Sequence, residues 1–171
     1  MATNFATVEL HGATISLTKV DGSPWDIGPA PSPADVKDLA KALALIDPVA
    51  PVLAILARPT AQALGKPDPF GTAKLVVSGT DSTSFKLKKI QDSYTPAWEG
   101  VRWEHVSLDG NTRIQVTLAD KDLVNDDPIG TFELTATDMK AAIAEGKVHQ
   151  VKVADQTNNQ ALFAAISVFA E

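Results

Sequence analysis

Four aspartates fall within eight residues of the stretch LADKDLVNDDPIGTFEL, residues 118–134: Asp120, Asp122, Asp126 and Asp127. Asp120 and Asp122 are two apart, so at the end of a strand their carboxylates project to one side. Asp126 and Asp127 return from the far side of a short loop, just before Pro128, Ile129 and Gly130. Carboxylates at this density repel one another at neutral pH, and a divalent cation with six to eight oxygen ligands relieves that repulsion. Calcium is the expected occupant. The competing reading is a solvated acidic turn that keeps strand edges soluble. An EF-hand is rejected: counted from Asp120, its fifth, sixth and twelfth positions hold Val124, Asn125 and Thr131 in place of Asp or Asn, Gly and Glu.

Period-two alternation frames this loop with strands. Segments 5–10 and 13–20 alternate around His11 and Gly12, as a hairpin or as successive strands. Further strands are expected at 71–78, 84–90, 101–108, 113–118, 129–134, 148–153 and 161–169, with turns between them at the spacing of an antiparallel sandwich. Two helical exceptions interrupt the pattern. In residues 29–66, Ser32 is placed as an N-cap before Pro33 and Asp35, and Val36, Leu39, Leu43 and Ile46 follow at helical spacing. Pro48 ends that helix near Asp47, and a second helical stretch, bracketed by Pro51 and Pro59 and broken by proline, follows. A shorter helix is expected over 137–145, capped by Thr137 and stopped by Gly146. The fold class is therefore all-β, a sandwich with a helical insertion.

The 171 residues fit one domain with a substantial core, burying roughly two-thirds or more of the unfolded surface. A net charge of -6 argues against nucleic-acid binding through a general positive field. The absence of cysteine excludes disulfides, cysteine zinc sites and thiol catalysis. The start MATNFATVEL has neither a basic nor an apolar run, and no apolar stretch approaches the ~20 residues that span a bilayer. A cytoplasmic or peripheral-membrane location is the expectation. His11, His105 and His149 are isolated, and no nucleophile elbow or His-Glu-x-x-His motif occurs, so the chain is not read as an enzyme.

Three segments taken in order, KPDPFG at 66–71, FKLKKIQDSYTPAW at 85–98 and DKDLVNDDPIG at 120–130, resemble the signposts of the C2 domain family. The likeness extends over about residues 13–139. It implies an eight-stranded antiparallel β-sandwich whose loops at one end bind calcium and meet anionic phospholipid. It also implies Asp68 as a ligand beside Asp120, Asp122 and Asp127, with Asp126 as the alternative to Asp127 because the loop is one residue short of the usual spacing. A fifth ligand falls to Asp21 or Asp26. The segment 29–66 then enlarges the first calcium loop by about forty residues, as surface loops tolerate. Thr95 stands where the family usually has Asn.

The resemblance further implies head-group contacts for Lys86, Lys88 and Lys89, each contributing about 1 kcal/mol near an anionic surface. Against this stands the plain reading of a strand with Phe85 and Leu87 inward and lysines in solvent. Trp98 and Trp103 are expected to be structural, and Trp25 to be an exposed aromatic at the apex. The function expected is calcium-dependent docking on anionic membranes. The alternative is a protein-interaction or adhesion module, with any calcium structural and the helical insertion as the partner surface.

Overall fold

The computed structural model of the chain describes residues 4–25, 65–122, 125–154 and 159–171. The expected insertion at 29–66 therefore lies almost wholly outside the described residues, as does Asp26. Among the described residues there are eight strands: β1 (Phe5–Ile15), β2 (Pro69–Val77), β3 (Thr80–Leu87), β4 (Arg102–Ser107), β5 (Thr112–Asp120), β6 (Asp127–Thr135), β7 (His149–Lys152) and β8 (Ala161–Ala170). One helix, α1 (Ala136–Glu145), follows β6. The strands form two four-stranded sheets, ordered β4-β1-β8-β7 and β3-β2-β5-β6, with antiparallel pairing throughout.

Alternation in the sequence becomes alternation in burial. Along β5, Ile114, Val116 and Leu118 are buried, while Arg113, Gln115 and Thr117 lie on the other face. One apolar cluster draws on both sheets, including Val8, Leu10 and Ile166 from one and Leu87, Ile114 and Leu134 from the other. Trp103 anchors it, 2% exposed, edge-on to Phe85 at 5.1 Å and donating its indole N–H to the Thr83 carbonyl. Trp98 is also buried and donates to the Lys88 carbonyl, so both tryptophans have the structural roles expected of them.

Several boundaries differ from the sequence expectation. Segments 5–10 and 13–20 are not two strands: β1 runs unbroken from Phe5 to Ile15 and absorbs His11 and Gly12 as a register shift against β8. Gly12 is needed there, because a Cβ would lie 2.4 Å from the Pro96 carbonyl oxygen. β3 begins four residues before its expected start, since Ser78 and Gly79, both at positive φ, close a two-residue hairpin directly into Thr80. The cap of α1 is Thr135 rather than Thr137. Thr135 and Asp138 form a reciprocal capping box, and Gly146 ends the helix at φ 64° as expected.

Candidate metal and membrane site

The strand register collects the acidic residues at one end of the sheet β3-β2-β5-β6. Pro69 of β2 lies opposite Asp120 of β5, and Asp120 lies opposite Asp127 of β6. Asp68, one residue before β2, thus meets the end of β5: its backbone N–H donates to Asp120 Oδ1 at 2.5 Å, and its carbonyl accepts from the Lys121 N–H at 3.2 Å. Asp120 is completely buried. A buried carboxylate must be compensated, and here a backbone amide from a different loop is part of that compensation.

Three lysines reach into the same end. Lys19, from the loop after β1, forms an ion pair with Asp127 Oδ2. Lys89, after β3, pairs with Asp68 Oδ2 at 2.9 Å, and the Asp92 N–H donates to Asp68 Oδ1 at 2.8 Å. Lys121 pairs with Asp126 at 2.9 Å and lies 5.4 Å from the centre of the Phe70 ring. Burial depresses the Lys19 ammonium, but its hydrogen bond to Asp127 and the fields of Asp127, Asp122 and Asp120 outweigh this, so its pKa lies above the ordinary 10.5. The hydrogen bond from Lys89 to Asp68, with the fields of Asp68, Asp92 and Asp120, likewise raises the Lys89 pKa. Asp68, Asp120, Asp122 and Asp127 are thus linked through shared backbone and lysine partners, with Asp126 beside them.

Asp21 behaves differently. Its Oδ1 accepts from the Ser23 N–H at 2.9 Å and the Ser23 hydroxyl at 2.6 Å, a local turn that holds the carboxyl below the ordinary 3.8. The expected exposed ring at Trp25 is corrected. Trp25 is 3% exposed, and its indole N–H donates to the Ser16 carbonyl at 2.9 Å, which pins the base of the loop. Among the described residues of this loop, the exposed large apolar side chain is Val20, in the turn closed by Gly22 N–H to the Lys19 carbonyl. An apolar residue beside Asp21 and Gly22 was the sequence signal for it. Lys86, Lys88 and Lys89 are exposed while Leu87 is buried, so the alternation read from the sequence is present. Only Lys86 sits within β3.

The donor set suits a hard cation in chemistry: its carboxylate oxygens come from two loops that paired strands bring to one end. Among the described residues no three His, Asp or Glu side chains yet converge closely enough to hold an ion. Lysine ammoniums are paired instead with Asp68, Asp126 and Asp127. Among the described residues, too, no helix is long and apolar enough to cross a membrane.

A family model described as the C2 domain matches residues 52–154, more than half of the chain. The chain belongs to the C2 domain family, whose members commonly bind membranes in a calcium-dependent way. A comparison with curated protein sequences returns no match. Among solved structures, human GIVD cytosolic phospholipase A2, in complex with a fluorophosphonate inhibitor and terbium chloride, is similar with a TM-score of 0.50 and 13% identity over 100% of this chain. This chain spans only 18% of that enzyme. The C2A domain of plant extended synaptotagmin 1 gives a TM-score of 0.48 at 12% identity, covering 100% of this chain and 98% of that one. The C2A and C2B domains of extended synaptotagmin 2, calcium bound, give 0.48 at 13% identity, covering 98% of this chain and 46% of that one. A C2 domain is a non-catalytic module, one that also occurs within phospholipase enzymes.

Proposed function

We propose that this chain is a calcium-responsive module that docks on anionic phospholipid through the aspartate-bearing end of its sandwich. The observation that carries the reading is the register that sets Asp120 opposite Asp127 and binds Asp68 to Asp120 through the backbone. Asp68, Asp120, Asp122 and Asp127 are the ligands in this reading. Asp127 is preferred to Asp126 because the strand register sets Asp127 directly opposite Asp120, whereas Asp126 lies outside that pairing and is held by Lys121. Asp21 flanks the cup, its carboxylate engaged within its own turn.

A bound calcium ion would supply positive charge and open coordination positions for lipid phosphate. The chain's own residues do the rest. Without the cation, Asp68, Asp120, Asp122, Asp126 and Asp127 outnumber the paired Lys19, Lys89 and Lys121, and the excess negative charge opposes an anionic surface. Val20, 59% exposed at the tip, provides apolar area to bury at the head-group boundary. Lys86 and Lys88 add electrostatic attraction along the flank.

Co-sedimentation with phosphatidylserine vesicles tests the proposal. Binding is expected with calcium and not with chelator, and not to phosphatidylcholine alone. Protein that takes up calcium yet ignores phosphatidylserine would favour the protein-interaction module instead.

A further inference from the structure

The three lysines at the aspartate end are not equivalent. The Lys89 and Lys121 side chains are 47% and 49% exposed, whereas Lys19 is 23% exposed. Lys89 and Lys121 lean on Asp68 and Asp126 from outside. Lys19 lies inward, bonded to Asp127, which the strand register sets opposite the buried Asp120. Its position is built rather than incidental. The Lys19 N–H donates to the Ser23 carbonyl at 2.9 Å, the Gly22 N–H donates back to the Lys19 carbonyl at 3.0 Å, and the buried Trp25 ring lies 5.8 Å from its ammonium. The ion pair spans 108 residues of sequence, so the loop after β1 delivers one positive charge to carboxylates on β6 and at the end of β5.

We infer that Lys19 is a tethered counter-ion of the aspartate cup, which a divalent cation must displace from Asp127, so that this side chain sets the calcium concentration at which the cup fills. The inference rests on the calcium-site reading above. An ammonium is a compact point charge that neutralises one carboxylate and leaves the others in excess. A divalent ion gains the whole set, but against the repulsion of a cation already in place or the free energy of moving it out. The occupied cup is thus a competition between a tethered monovalent charge and a free divalent one.

The test is a calcium chloride heat titration of wild type, Lys19→Met, Lys19→Gln and Lys19→Arg, each checked for cooperative melting. Lys19→Gln removes the charge and keeps a hydrogen-bond donor on a slightly shorter side chain, while Lys19→Met removes both. Lys19→Met and Lys19→Gln are expected to bind calcium about tenfold more tightly than wild type, and Lys19→Arg to stay within about twofold of it. Adding Asp120→Asn with Asp122→Asn to Lys19→Gln should abolish the gain. Wild type that binds calcium no more weakly than both neutral variants would overturn this inference and leave the calcium site standing. No uptake by wild type or by any Lys19 variant would overturn the site itself and this inference with it.

Discussion

Aspartates are placed at both ends of this sandwich, and the two ends treat them in opposite ways. At the end where β4 turns into β5, Asp109 bonds the Asn111 N–H, the Ser107 hydroxyl and the Thr112 hydroxyl, all within three residues. Asp138 caps α1 through Thr135, and Asp81 pairs with Lys74 across the β2–β3 hairpin. At the other end, Asp68 is held by residues 21 and 24 positions away, Asp120 by one 52 away and Asp127 by one 108 away. Local bonds use a carboxylate to shape a turn. Long-range pairing gathers carboxylates that local structure does not require, in a set where aspartates outnumber the lysines paired with them. Asp21 shows that sequence position alone does not decide the matter, since it lies at the second end and is satisfied like the first.

That contrast can be broken experimentally. The largest effect is expected from Asp120→Asn with Asp122→Asn, which should reduce calcium-dependent vesicle binding by about 100-fold or more. Val20→Glu, which replaces the exposed apolar tip with a charge, should weaken vesicle binding about tenfold and leave the melting temperature unchanged. Lys86→Ala should weaken binding to phosphatidylserine vesicles roughly fivefold, the loss of one lysine near an anionic surface. At the opposite end, Asp109→Asn should lower the melting temperature by a few degrees and leave vesicle binding untouched. The Asn111 N–H, then the Ser107 hydroxyl, hold the Asp109 carboxyl below the ordinary 3.8. Its contribution is therefore present above that unfolded value and lost as pH falls through the lower folded one. Thermal melts should show the difference between wild type and Asp109→Asn persisting down to about pH 4 and closing below it.

The sequence made the sandwich legible because burial in strands repeats every two residues, and β5 carries that period cleanly. The aspartate loop was legible for the same reason, being a break in the period with one residue type. What remained hidden was non-local. No pattern within the loop reveals that Lys19 pairs with Asp127, because the pairing depends on how β1 and β6 come together. Trp25 was misjudged as exposed because a large aromatic beside a loop aspartate reads equally as a tip or as a plug, and only the bond to Ser16 decides. The α1 cap was available as Thr135-x-x-Asp138, a capping box two residues before the Thr chosen. The single strand β1 was obscured because a bulge at Gly12 looks like a turn when only residue types are considered.

The central claim, that long-range pairing marks the cation-binding aspartates and local bonding the structural ones, is tested most directly by neutralising one aspartate at each end. Calcium heat titrations of wild type, Asp127→Asn and Asp109→Asn make the comparison. The account predicts calcium uptake by wild type, equal uptake by Asp109→Asn, and uptake weakened at least about tenfold by Asp127→Asn. No heat from wild type at millimolar calcium, or equal loss in the two variants, would contradict it.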